Sequence, residues 1–190
     1  MKVNEIFYSL QGEGYHAGTA AVFVRLSGCN LQCPFCDTQH ESGSEMTEDE
    51  IVAEVAKYPA RLVVVTGGEP SLQLTRGFVN ALHDVDKMVA VETNGTHRLP
   101  GNVDWITLSP KDAYLGDKAK PVLNYVDEIK VVLMASTNRR CIPASCAPMP
   151  ASCSRATPAI RYATPRLSMP PSNTSRKIHV GNFHSRFTKY

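Results

Sequence analysis

Ala21-Val22-Phe23-Val24-Arg25-Leu26-Ser27-Gly28-Cys29-Asn30-Leu31-Gln32-Cys33-Pro34-Phe35-Cys36-Asp37 joins a short apolar, strand-like run to a loop that carries three cysteines. A loop at the end of a strand is where folds of alternating strands and helices place their chemistry. The spacing Cys29-x3-Cys33-x2-Cys36 brings three thiolates into one loop. Three thiolates can hold three irons of a four-iron cluster and leave the fourth iron open for a second cofactor. A closed zinc site with His40 as fourth ligand is the competing reading, although no second Cys or His pair follows at finger spacing. The amino terminus, Met1-Lys2-Val3-Asn4-Glu5, is polar, and no apolar core of signal length follows. Clustered thiols in a chain without a secretion signal read as metal ligands rather than disulfides.

Working outward, the chain divides into two regions of different character. Residues 1–134 read as α/β. Candidate strands are Ala21–Leu26, Leu62–Thr66, Met88–Glu92, Trp105–Leu108 and Glu128–Leu133, short and rich in Val, Ile and Leu, as strands covered on both faces should be. Thr47-Glu48-Asp49-Glu50 has the form of a capping box, with Ile51, Val52 and Val55 at helical spacing behind it and Tyr58-Pro59 as its end. A second helix is expected over Leu72–Leu82. Alternating strands and helices predict a parallel sheet or barrel with crossovers. After Met134 this pattern stops. Pro143, Pro148, Pro150, Pro158, Pro165, Pro170 and Pro171 interrupt a stretch rich in Ser, Ala and Thr, and no helix or strand is placed there. Cys141, Cys146 and Cys153 lie in this tail without a supporting frame.

The chain has 190 residues and a formal charge of +2, so no large basic field points to nucleic acid. No apolar stretch is long enough to span a bilayer. The expectation is a cytoplasmic protein.

Further motifs close other strands. Thr66-Gly67-Gly68-Glu69-Pro70 follows Leu62–Val65; its glycines let the backbone approach a ligand, and Glu69 could accept hydrogen bonds from an ammonium group. An ordinary strand-to-helix turn would look the same. Val91-Glu92-Thr93-Asn94-Gly95 reads either as functional or as a polar turn. Ser109-Pro110-Lys111 follows Trp105–Leu108 and could hydrogen-bond a cofactor's ribose or carboxylate, or simply form a surface turn. Phe35, beside Cys36, could pack on an adenine. Arg25 lies in an otherwise apolar strand, where its planar fork needs an anion. A substrate carboxylate and a structural ion pair both answer that need. Phe7-Tyr8-Ser9-Leu10-Gln11-Gly12-Glu13-Gly14 precedes the first expected strand and combines polar groups with two glycines, which reads either as a substrate-binding segment or as a turn packed beneath the barrel.

The cysteine spacing, with aromatic Phe35 just before the third cysteine, resembles that of the radical S-adenosylmethionine superfamily, and the Gly67-Gly68-Glu69 turn resembles its GGE pattern. Over residues 1–134 the chain is similar more particularly to the 7-carboxy-7-deazaguanine synthases of queuosine and deazapurine biosynthesis. The resemblance rests on SLQGEG at Ser9–Gly14, FVRLSGCNLQCPFCDT at Phe23–Thr38, TGGEP at Thr66–Pro70, ETNGT at Glu92–Thr96 and SPK at Ser109–Lys111.

That resemblance implies an open, abbreviated (β/α) barrel, commonly in a homodimer, followed here by an irregular C-terminal tail. It implies a lyase that turns 6-carboxy-5,6,7,8-tetrahydropterin into 7-carboxy-7-deazaguanine with ring contraction and loss of ammonia. The reactive radical would come from the cofactor rather than from a catalytic side chain. Cys29, Cys33 and Cys36 would bind a [4Fe-4S] cluster. Phe35, Cys36, Asp37, Gly68, Glu69, Ser109, Pro110 and Lys111 would line the S-adenosylmethionine site. Leu10, Gln11, Gly12, Arg25 and Thr66 would hold the pterin, and Thr38 would bind Mg2+. A reducing partner such as flavodoxin or ferredoxin is implied. Two other functions share some of these signals: an activase that places a glycyl radical on a partner protein, and a zinc-stabilised binding module. The family's carboxy-terminal Q-P-C stretch has no match here. Back-translated and read two bases later, Asn173–Tyr190 can yield the tryptophan and LSLQ-H-K ending typical of the family. The sequence reading therefore includes a shifted reading frame after about Met134.

Overall fold

The computed structural model describes residues 1–133, 159–163 and 167–168. The expected reading-frame change and Cys141, Cys146 and Cys153 lie outside the described residues.

Among the described residues, ten strands and three α-helices run in the order β1 (Lys2–Leu10), β2 (Ala20–Leu26), β3 (Ser44–Glu45), α1 (Glu48–Ala56), β4 (Leu62–Gly67), α2 (Arg76–Asp84), β5 (Met88–Thr93), β6 (Trp105–Leu108), α3 (Asp112–Leu115), β7 (Tyr125–Val126), β8 (Glu128–Leu133), β9 (Ala159–Ala163) and β10 (Leu167–Ser168). Eight of the strands form one open sheet in the order β3-β1-β2-β4-β5-β6-β8-β9, while β7 and β10 pair separately. The centre, β2-β4-β5-β6-β8, is parallel. Antiparallel β1 and β9 flank it.

Each strand alternates its side chains between two faces. One face carries Val22, Val24, Leu26, Val63, Val65, Val89 and Val91, and helices α1 and α2 cover it with Ile51, Val55, Phe78, Val79 and Leu82. The other carries Ala21, Phe23, Leu62, Val64 and Ala90, with Phe7, Met88 and Trp105 packed against them. This second face lines the lumen of the partial barrel. Burial on both faces is why these strands read as continuous Val-rich runs.

The capping box forms as expected: Glu50 N–H donates to Thr47 Oγ1 at 3.2 Å, and Thr47 N–H donates to Glu50 Oε2 at 2.8 Å. The five expected strands are present with boundaries extended by at most a residue.

Three expectations need correction. The segment before the first expected strand forms β1, a nine-residue antiparallel strand whose register places Phe7 opposite Phe23. The second helix does not begin at Leu72; a 3-10 turn covers Pro70–Leu72 and α2 starts at Arg76 behind the cap Thr75. Gln73 is drawn away from helical geometry because its amide donates to Ser27 O at 2.6 Å and accepts from Lys2 N–H at 2.7 Å. The tail, where no strand was placed, contributes β9 and β10. Here tertiary pairing supplies what local pattern lacks, since the free edge of β8 offers unpaired backbone groups from Ile129 to Leu133.

Candidate active site

The loop after β2 presents Cys29, Cys33 and Cys36 as free thiols. They border an open cavity of about 600 Å³, with Gly28, Gln32 and His40 also on its wall. Among the described residues, no three His, Cys, Asp or Glu side chains converge as ligands of a single metal ion. Three thiols on one cavity wall are the donor set that a multi-iron cluster takes, each thiolate attaching to a different iron. Burial pushes the Cys29 and Cys33 thiols above their ordinary range, while the nearby Lys111 ammonium pulls Cys33 back down. Burial in turn holds Lys111 below the usual lysine range.

Hydrogen bonds fix this loop to its neighbours. Gly28 N–H donates to His40 O at 2.7 Å, and Gly28 O accepts from Glu69 N–H at 2.8 Å. The second contact requires glycine at 68: a Cβ there would sit 1.9 Å from Gly28 O. Glu69 is buried and spans to the next loop. Its Oε1 accepts from Thr93 Oγ1 at 2.6 Å and from Ser71 N–H at 3.0 Å; its Oε2 accepts from Asn94 N–H at 2.7 Å. Asn94 Nδ2 then donates to Asn30 Oδ1 at 3.1 Å, and Asn30 Nδ2 to Thr96 Oγ1 at 2.9 Å, closing the circuit onto the cysteine loop.

Ser109, Pro110 and Lys111 follow β6 on the same rim. Ser109 N–H donates to Thr93 O at 2.8 Å, and Lys111 Nζ donates to Ser109 Oγ at 2.5 Å. Phe35 meets Tyr114 edge-on at 4.7 Å, with Lys111 Nζ 5.8 Å above its ring. Thr38 Oγ1 lies 3.3 Å from Asp37 Oδ1, so a hydroxyl and a carboxylate stand together beside the third cysteine.

Beside this rim, the C-terminal ends of the strands turn the lumen polar. Arg25 pairs in register with Thr66, Glu92 with Thr107, and Thr107 with Glu128. Thr66 Oγ1 donates to Glu92 Oε2 at 3.4 Å, and Gln11 Nε2 donates to Glu92 Oε1 at 3.3 Å. Lys130 Nζ bridges Glu92 at 2.8 Å and Glu13 at 3.1 Å. Arg25 Nε is paired with Glu5 Oε1 at 2.7 Å, and its guanidinium stands 5.7 Å above the Phe7 ring. Gly12 follows Gln11 in the loop, while Leu10, at the end of β1, is exposed.

The structure thus brings the cysteine, GGE, ETNGT and SPK segments to one rim, and Gln11 and Thr66 into the adjoining lumen. Glu13, His16, Glu92, Glu128 and Lys130 also line that lumen and were absent from the sequence-derived site. A signal existed for two of them. Glu128 and Lys130 are charged residues two apart in an apolar strand, the same anomaly that marked Arg25.

An open α/β sheet with a three-thiol loop after its first parallel strand and a glycine-rich turn after the second defines a radical S-adenosylmethionine protein. The Radical SAM superfamily model matches residues 23–113. The 7-carboxy-7-deazaguanine synthase of Bacteroides thetaiotaomicron is 59% identical over 131 residues, covering 69% of this chain and 69% of that protein. The Nitratidesulfovibrio vulgaris enzyme of the same name is 46% identical over 135 residues, covering 58% of this chain and 62% of its own length. The crystal structure of QueE from Escherichia coli superposes with a TM-score of 0.51 at 33% identity, over 57% of this chain and 60% of that one. The chain belongs to the 7-carboxy-7-deazaguanine synthase family. It spans between about half and two thirds of the length of several relatives, from 52% to 69% in the first three. No helix among the described residues is long and apolar enough to cross a membrane.

Proposed function

We propose that this chain is a lyase acting on 6-carboxy-5,6,7,8-tetrahydropterin, releasing ammonia and forming 7-carboxy-7-deazaguanine. The observation that carries the reading is a three-thiol cavity whose loop is tied through Glu69 to Thr93 and Asn94, the residues that follow Glu92 of the polar lumen. Cys29, Cys33 and Cys36 would hold the cluster. When held by these thiolates, such a cluster would supply one-electron reducing chemistry toward S-adenosylmethionine.

The remaining work belongs to the chain's own groups. Phe35, Cys36, Asp37, Gly68, Glu69 and Ser109–Lys111 would line the S-adenosylmethionine site. Arg25 would take the substrate carboxylate, exchanging Glu5 for a stronger bidentate partner. Leu10, Gln11, Gly12 and Thr66 would hold the pterin against the lumen wall. Glu92 and Lys130 would face its polar ring edge, and the apolar tier of Phe23, Val64 and Ala90 would exclude water from beneath. Thr38, with Asp37 beside it, offers the hard oxygen donors that Mg2+ prefers. Action in the cytoplasm, a homodimeric state and reduction by flavodoxin or ferredoxin belong to the same reading.

The test is anaerobic reconstitution of the full chain with iron and sulfide, followed by incubation with the carboxylated pterin, S-adenosylmethionine, Mg2+ and a reductant. Mass spectrometry should detect the deazaguanine product and ammonia release. A reconstituted protein that cleaves S-adenosylmethionine but leaves the pterin unchanged would overturn the substrate assignment.

A further inference from the structure

The loop between β1 and β2 lines the lumen with Gln11, Glu13 and His16, and a buried carboxylate helps to hold it there. Glu128 on β8 is 4% exposed. Its Oε1 accepts from Tyr15 N–H at 3.1 Å, and its Oε2 accepts from Trp105 Nε1 at 3.3 Å and Thr107 Oγ1 at 3.2 Å. The loop backbone comes unusually close. A Cβ at Gly14, whose φ is +70°, would lie 2.2 Å from Glu128 Oε1. Gly14 therefore lets the chain pass over the carboxylate, in a conformation that other residues rarely adopt. Aromatic contacts complete the closure: Tyr15 stacks on Trp105 at 4.8 Å, and His16 meets the same indole edge-on at 4.9 Å. Two residues further along β8, Lys130 holds Glu13 of the same loop.

We propose that Glu128 is a positioning residue that latches the Gln11–Thr19 loop over the lumen and so sets the depth at which Gln11 and Gly12 meet the substrate. The inference rests on the assignment of that loop to pterin binding. Glu128 itself is spent on three donors, so it acts through the loop rather than on the reacting atoms. Removing it frees the Tyr15 backbone and lets the loop lift, while the cysteine rim, held by Glu69 and Asn94, is untouched. The loss falls on substrate binding, not on cofactor cleavage.

Trp105 is the single tryptophan of the chain, so its fluorescence reports the latch directly. The variants are Glu128→Ala, Glu128→Gln and Gly14→Ala, made in the full reconstituted chain. Acrylamide quenching of Trp105, measured without pterin, should rise about twofold or more in Glu128→Ala, because a partly buried indole loses its charged partner and its cover. KM for the pterin should rise about tenfold, with kcat at saturation and pterin-free S-adenosylmethionine cleavage close to wild type. Glu128→Gln keeps one acceptor oxygen and should recover part of both effects. Gly14→Ala pries the loop from the other side with the carboxylate intact, so it should raise quenching even if Glu128→Ala fails to fold. Unchanged quenching in folded Glu128→Ala or Gly14→Ala overturns the latch, as does a fall in kcat without a rise in KM. A wild type that makes no deazaguanine overturns the pterin reading instead, while the quenching arm still decides whether the latch exists.

Discussion

Replacing Glu69 with alanine should destabilise the protein even with no cofactor bound. The carboxylate is 1% exposed and accepts three hydrogen bonds, two of them from Thr93 at the end of β5 and Asn94 just after it. Thr93 and Asn94, which supply those two, are themselves buried. Alanine would leave the Thr93 hydroxyl and the Asn94 N–H without a partner, at about 1–3 kcal/mol each, and would add a small cavity. Relief of the carboxylate's own desolvation offsets part of this, so the net loss should be about 3 kcal/mol. For a chain of this size that corresponds to a fall in Tm of roughly 10 °C. Glu69→Gln keeps one acceptor oxygen and should lose about half as much. The assay is denaturant unfolding of the cluster-free protein, followed by circular dichroism. A Glu69→Ala variant within about 0.5 kcal/mol of wild type would refute the reasoning. If that variant still lost S-adenosylmethionine binding, Glu69 would be an ammonium acceptor rather than a tie between loops.

Two further perturbations follow from the same geometry. Gly68→Ala must push the cysteine loop away, since its Cβ starts 1.9 Å from Gly28 O. It should lower iron and sulfide retained per chain after reconstitution by severalfold, and normal iron content would contradict the close approach. Burial holds the His16 imidazole below the ordinary histidine range, against the opposing pull of Glu128. The folded state therefore disfavours the protonated ring. Stability is fully present above the unfolded-state pKa and declines as pH falls through it toward the folded value. Urea midpoints at pH 7.5 and 5.5 should show that decline in wild type and a flatter response in His16→Phe; parallel responses would contradict it.

Much of the fold was legible because the strands are buried on both sides. Continuous runs such as Leu62–Val65 need no knowledge of partners to be read as strands, and the turn residues after them mark where chemistry can sit. The capping box at Thr47 and Glu50 was legible for a similar reason: its two hydrogen bonds close within four residues. The second helix was misplaced because Gln73 hydrogen-bonds to Ser27 and Lys2, and those contacts cannot be seen from the segment itself. Strand β9 was missed because it forms by pairing with the edge of β8, not through a pattern of its own. The site divides along the same line. Cys29, Cys33 and Cys36 declare themselves by spacing. Lys130, Glu92 and Glu13 do not, because their meeting depends on the curvature that brings three distant segments around one lumen.

The sequence by itself determined the parallel core, the three-thiol loop and the family, since each rests on short-range pattern: apolar runs, fixed spacings and turn glycines. Only the tertiary structure decided how those motifs cooperate. It made Glu69 a tie between two loops, paired Arg25 with Glu5, and set Glu128 against Gly14 and the Tyr15 backbone of the amino-terminal loop. A carboxylate's partners are fixed by which donors the fold brings within about 3 Å, and that distance has no local signature along the chain.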